Sequence, residues 1–190
     1  SRVIIRQPQL RWPIAKEISE QLPGQLIQNI SRRGKYLLLN TAVGTAILHL
    51  GMSGSLRIVA NSTPHQKHDH VDIQFTHGKC LRFNDPRRFG CLLWCAGNVA
   101  DHALLSHLGP EPLTESFSAE YLFQKTRGRK KAIKQVIMDH HIVVGVGNIY
   151  ASEALFMAGI RPGKASKSLT KLKVKKLVDA IKLILKAAIE

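Results

Sequence analysis

The chain has 190 residues, 44% of them hydrophobic, and sets 28 Lys and Arg against 13 Asp and Glu, for a formal net charge of +15. That length can bury one large core or two small ones, and the cationic surplus favours a polyanionic partner, nucleic acid first and an anionic membrane surface second. No apolar run reaches the roughly 20 residues that span a bilayer, and no signal-peptide pattern opens the chain, so a cytoplasmic protein with no membrane partner is expected.

The first hundred residues read as β structure. Runs at 2–6, 26–30, 35–40, 46–50, 55–59, 70–75, 80–83 and 91–94 are rich in Val, Ile and Leu. Turn residues such as Gly44, Pro64 and the Thr76-His77-Gly78 tip separate them. One helical turn is expected at 13–21. The spacing suits a sandwich or flattened barrel. Cys80, Cys91 and Cys95 fall in apolar strand-like surroundings, as reduced, buried thiols do, and not as a metal site.

The pattern changes after about residue 98. His107-Leu108-Gly109-Pro110-Glu111-Pro112-Leu113 is a proline-punctuated connector. The division is therefore 1–106 as a β-sandwich domain, 107–117 as linker and 118–190 as a helical domain. Helices are predicted at 118–125, 130–139 and 148–158, and Ser168 offers an N-cap for a longer one. In that last segment Val174, Leu177, Val178, Ile181, Leu185 and Ala188 share a face, with lysines opposite. Both ends read as cut: Ser1 is not a Met and sits at a strand edge, and Glu190 stands in a helical pattern without a Gly or Asn cap.

Three stretches carry chemistry. Asp85-Pro86-Arg87-Arg88-Phe89-Gly90 puts two guanidinium groups beside an aromatic ring in a turn, the equipment for wedging a ring into a base stack while holding the backbone. His49-Leu50-Gly51-Met52-Ser53-Gly54 carries an exposed-looking Met in a flexible turn, which could fill the hole left by an extruded base. Gly145-Val146-Gly147-Asn148 combines a tight turn with Asn148 as helix N-cap. Read alone, it marks either a plain helix corner or an anion site; Arg127, Arg129, Lys130, Lys131 and Lys134 upstream favour phosphate. Lys35 precedes an apolar run, as a gatekeeper charge or as a phosphate contact and proton-transfer group. His65, His68, Asp69 and His70 match no standard metal spacing and read as a polar loop.

Together with Lys67-His68-Asp69-His70 and Leu108-Gly109-Pro110-Glu111-Pro112-Leu113, these strings resemble the bacterial formamidopyrimidine-DNA glycosylases over essentially all 190 residues. The resemblance implies an α+β protein, an N-terminal β-sandwich joined to a helical domain with a helix–two-turn–helix motif. It implies a monomeric, nucleoid-associated DNA glycosylase/AP lyase that excises oxidised purines, 8-oxoguanine and formamidopyrimidines, from double-stranded DNA and nicks the abasic strand. By resemblance Met52, Arg87 and Phe89 enter the duplex, Arg87 meeting the orphaned cytosine. Lys35, His49 and Asn148 grip phosphates, and Lys35 is also the proton donor in β-elimination. His68, Arg88 and Lys130 are further DNA contacts.

The departures lie at the ends. The family's nucleophile is an N-terminal proline, whereas this chain opens Ser-Arg-Val-Ile-Ile-Arg, a couple of dozen residues into the family pattern, and Ser1 is no substitute. It also stops before the family's four-cysteine zinc finger, so no cofactor is expected in this chain. The alternative reading is a catalytically inactive DNA-binding module, truncated or paralogous.

Overall fold

The computed structural model describes residues 2–189, so Ser1 and Glu190, the two ends discussed above, lie outside the described residues. The chain divides into two compact units, one reaching Leu105 and the other starting at Ser106.

The first unit holds two four-stranded antiparallel sheets. One is ordered β1 (Arg2–Ile5), β6 (Asp69–Gln74), β7 (Lys79–Asn84), β5 (Ser55–Ala60). The other is ordered β2 (Asn29–Arg33), β3 (Tyr36–Asn40), β4 (Thr45–His49), β8 (Cys91–Cys95). Strand alternation explains the packing, because successive side chains leave opposite faces of a sheet. Leu39, Ala46, Leu48 and Leu92 of one sheet meet Val71, Ile73 and Phe83 of the other. Leu10, Ile14, Ile18 and Leu22, around the short helix α1 (Glu17–Glu20), close the core. Each of these side chains except Ala46 contributes about 1.5–3 kcal/mol when fully buried.

A buried ionic network fastens the loop at 61–68 to β6 and β7. Arg82, 2% exposed, donates from Nε and Nη2 to the two carboxylate oxygens of Asp72 at 2.8 and 2.9 Å, and caps the Thr63 and Pro64 carbonyls at 3.0 Å. Arg6 donates to the same Asp72 at 2.6 Å, and Arg57 to Asp69 at 2.6 Å.

The second unit is helical. Helix α2 (Ala119–Thr126) is capped by Ser118, whose hydroxyl accepts the Tyr121 N–H at 3.1 Å. Helices α3 (Ile133–Ile137), α4 (Asn148–Met157) and α5 (Lys171–Ala187) follow. Phe117, Leu122, Ile133, Leu155, Val174, Leu177 and Ile181 form the core. Residues 107–117 are held to this unit: the Gly109 N–H donates to His140 O, Pro110 O accepts the Val144 N–H, and Phe117 is fully buried.

Some boundaries differ from the sequence reading. The strand expected at 26–30 lies at Asn29–Arg33, because its pairing with β3 outweighs a polar sequence, and Leu26 is left 77% exposed. Helix α3 starts at Ile133 and not at 130, since Ala132 pairs in a β-bridge with Ala165. The long helix is capped by Thr170, which accepts the Lys173 N–H, whereas the Ser168 hydroxyl turns back to Ala165 O. Ala188 is exposed and off the buried face.

Candidate nucleic-acid interface

In the first unit, Lys35 is not in a strand. It shares a two-residue hairpin tip with Gly34, whose φ of +58° suits a turn between Arg33 and Tyr36. Its ammonium lies on the surface, yet surrounding atoms strip enough water to lower its pKa from the ordinary lysine value. His49 ends β4 half-buried, its ring 4.9 Å from that of Tyr36. The Gly51 N–H donates to His49 Nδ1 at 2.9 Å. A nitrogen that accepts carries no proton, so the neutral ring keeps its hydrogen on Nε2, available as a donor. Burial lowers the His49 pKa, and repulsion from Lys35 and Arg11 adds to the effect.

Arg11 is a cation the sequence reading missed. It is exposed, its backbone N–H donates to Gly90 O at 3.1 Å, and its guanidinium lies 4.6 Å over the Trp12 ring. Its field reaches His49, Tyr36 and Cys91. The only signal in sequence was an Arg beside a Trp and a Pro. Arg11 and Lys35 both add positive field at His49, as suits a site for phosphate.

Met52 is 74% exposed in the turn after β4. Arg87, Arg88 and Phe89 are exposed in the turn after β7, and the Arg87 guanidinium rests 4.6 Å over the Phe89 ring. Arg88 adopts φ +57°, uncommon for a residue with a side chain. The two turns touch: a Cβ on Gly51 would fall 2.6 Å from Gly90 N and from the Phe89 carbonyl carbon. His68 is half-buried, and its carbonyl accepts the Asp85 N–H at 3.0 Å. Lys35 with His49, and Met52 with Arg87 and Phe89, are therefore brought together within this unit.

In the second unit, Asn148 is exposed, but it is not the cap of α4. Gly147 takes that position, with φ −91° and ψ −178°, and no side chain caps the helix. An extended glycine can supply the non-helical residue before a helix, which moves Asn148 into the first turn. The first-turn N–H groups then point out of the helix end, as an anion site needs. Gly145 has φ +81°, which tightens the turn. Lys130 is exposed in the extended segment before α3, beside Arg129 and Lys131.

Cys80 and Cys91 are free and buried; Cys95 is free and half-exposed, contrary to the expected burial. Among the described residues no group of three or more His, Cys, Asp or Glu could hold a metal ion.

Comparison with known proteins follows the same division. The model of the formamidopyrimidine-DNA glycosylase N-terminal domain matches residues 1–92, and that of the formamidopyrimidine-DNA glycosylase H2TH domain matches residues 108–190. A formamidopyrimidine-DNA glycosylase of Photobacterium profundum is 55% identical over 190 residues, 100% of this chain and 70% of that protein. One from Cellvibrio japonicus is 57% identical over 187 residues, 98% of this chain and 69% of that protein. The crystal structure of the Lactococcus lactis enzyme non-covalently bound to AP-site-containing DNA aligns with a TM-score of 0.92 at 33% identity, covering 99% of this chain and 73% of that one. The same enzyme in complex with FAPY-dG-containing DNA aligns with a TM-score of 0.92 at 33% identity, over 99% and 71% of the two chains.

Proposed function

Since the chain belongs to the formamidopyrimidine-DNA glycosylase family, whose enzymes are DNA glycosylases and AP lyases of base-excision repair, we propose that its target is an oxidised purine, 8-oxoguanine or a formamidopyrimidine, in duplex DNA. The complexes of the Lactococcus lactis enzyme with abasic-site and FAPY-dG DNA support this reading. The observation that carries it is the pair of touching turns that hold out Met52, Arg87 and Phe89.

A base inside a duplex is out of reach, so it must be extruded and its place filled. Met52 and Phe89 fill and wedge the stack, and Arg87, leaving the Phe89 ring, donates to the cytosine left without a partner. Lys35, Arg11 and His49 hold phosphates near the lesion, with His68 and Arg88 as further contacts. The first turn of α4, with Asn148, and Lys130 hold phosphates from the second unit. Lys35, its ammonium partly desolvated, is the proton donor when the abasic strand breaks by β-elimination. The resemblance gives base removal to a proline amine, and no residue of the 190 is proposed for that role. The protein works as a cytoplasmic monomer at the nucleoid.

Lys35→Gln tests the assignment. Removal of one phosphate-bound cation should reduce the slope of log Kd against log salt by about 0.9, and strand cleavage at a preformed abasic site should fall with it. An unchanged slope and cleavage rate would remove Lys35 from the site. Covalent trapping by borohydride on an 8-oxoguanine·cytosine duplex and on an abasic duplex separates the two chemical steps. An adduct on either assigns an amine nucleophile to the chain. Binding of both duplexes with no adduct on either supports the non-catalytic alternative.

A further inference from the structure

The turn after β4 leads into β5, and the turn after β7 leads into β8, so each crosses from one sheet to the other. One side chain ties them. Asp85 is fully buried. Its Oδ1 accepts the Ser53 hydroxyl at 2.9 Å and its Oδ2 accepts the Gly90 N–H at 2.8 Å. The Arg87 N–H donates to the Ser53 oxygen at 3.3 Å. The backbone of Asp85 reaches a third segment: its N–H donates to His68 O at 3.0 Å, and its carbonyl accepts His70 Nε2 at 2.9 Å and the Arg88 N–H at 3.2 Å.

A buried carboxylate is retained only where donors replace the water it loses. Here the donors are a hydroxyl and an amide from two different turns. Aspartate is short, and its two oxygens point in separate directions, so one residue can hold both turns at once. The Met52 turn, the His68 segment and the Arg87–Phe89 turn all end on it. Ser53 extends the tie, since its hydroxyl donates to Asp85 while its oxygen accepts the Arg87 N–H.

We infer that Asp85, acting through Ser53, is the positioning residue that locks the Met52 and Arg87–Phe89 turns into a single reading head and so sets preference for damaged over intact duplex. The inference rests on the reading of Met52, Arg87 and Phe89 as the inserted side chains. With the head locked, the freedom of two turns is removed before DNA arrives, so less binding energy goes into ordering them. Without the tie, the same side chains are present but the turns must be ordered on the DNA.

The test uses Ser53→Ala, a half-exposed site where truncation should leave the fold intact. The readouts are the Kd for a duplex with an abasic-site analogue against that for the undamaged duplex, and the fluorescence of 2-aminopurine beside the lesion, which reports unstacking. Loss of a hydrogen bond to a carboxylate should lower the damaged-over-intact preference about tenfold and dim the 2-aminopurine response, with a small fall in Tm because a buried Asp85 oxygen loses its donor. Ser53→Thr, which keeps the hydroxyl, should restore both signals. Asp85→Asn should act as Ser53→Thr does, since its amide can donate to Ser53 and accept from Gly90. Phe89→Ala is run in parallel to test the underlying reading. If Phe89→Ala abolishes the preference while Ser53→Ala keeps it within about twofold, the positioning role is wrong and the wedge stands. If Ser53→Thr fails to restore what Ser53→Ala loses, the positioning role is again overturned. If Phe89→Ala itself leaves the preference intact, the wedge reading falls and the inference falls with it.

Discussion

Gly51→Ala measures how tightly the turns that hold Met52 and Arg87–Phe89 are packed. Gly51 sits at φ +66°, and a Cβ there would meet Gly90 N at 2.6 Å, the Phe89 carbonyl carbon at 2.6 Å and Phe89 O at 2.9 Å. All three are backbone atoms, so no side chain can swing aside. Gly78 is the matched control: its φ is +81°, yet a Cβ there would have nothing within 4 Å. Gly78→Ala therefore carries only the backbone penalty, about 1 kcal/mol. Gly51→Ala carries that penalty plus the cost of forcing a methyl into a filled space, about 1–3 kcal/mol, for a total of about 2–4 kcal/mol. Both tryptophans, Trp12 and Trp94, belong to the first unit, so urea unfolding followed by tryptophan fluorescence reports on the unit in question. Equal midpoint shifts for the two substitutions would refute the reasoning, because the turns would then have room between them.

Acid should weaken the first unit in a defined window. Burial raises the carboxyl pKa of Asp72, but hydrogen bonds from Arg82 and Arg6 outweigh it; for Asp69, burial is outweighed by the Gln66 N–H, Asn84 and Arg57, so both are lowered in the folded state. Their stabilisation is complete above the unfolded carboxyl pKa, near 3.9, and is lost as pH falls through the folded values. Urea midpoints should hold from neutral pH to about 5 and fall below about 4, and a flat profile would exclude the network as the cause. Arg87→Ala should reduce the preference for cytosine opposite the lesion by about 1–3 kcal/mol, read from Kd values opposite cytosine and adenine; an unchanged ratio would remove Arg87 from the opposite base. A thiol reagent at mild alkaline pH should modify half-exposed Cys95 first, and Cys80 and Cys91 only on unfolding. Burial pushes the Cys91 thiol up to about 11, so prompt modification of all three would contradict the packing of β7 and β8.

The fold could be read from sequence wherever burial writes a period. Strands β1, β3, β4, β5 and β8 are dense in Val, Ile and Leu, and the spacing of Val174, Leu177, Val178, Ile181 and Leu185 already describes the buried face of α5. Polar elements escaped. Strand β2 reads Asn-Ile-Ser-Arg-Arg and pairs with β3 at the edge of its sheet, so its composition looks like a loop. Cap assignments failed where two residues have equal chemistry: Ser168 and Thr170 both carry a hydroxyl, and only the turn geometry chooses between them. The exposure of Met52 and Phe89 was legible, since they are apolar residues in turn sequences. The support of the site was not. Asp85 is 32 residues from Ser53, Arg82 is 10 from Asp72, and Arg11 acts on a histidine 38 positions away (49 − 11). Such pairings have no local period, because the sheet order and not the chain order makes them neighbours.

The sheet-to-sheet path of the two wedge turns has a mechanical consequence. A hairpin tip loads the one sheet below it, whereas a segment anchored in both sheets, once tied by Asp85, passes its load to both. If the turns act as the proposed wedge, the thrust of parting two base pairs is then resisted by the sandwich as well as by the turns. Phe83 shows how direct the linkage is, since its ring tip lies 2.7 Å from where a Cβ on Gly90 would stand. Under that reading a core substitution that never meets DNA can soften the tool, so that interior and proposed reading surface are tuned together.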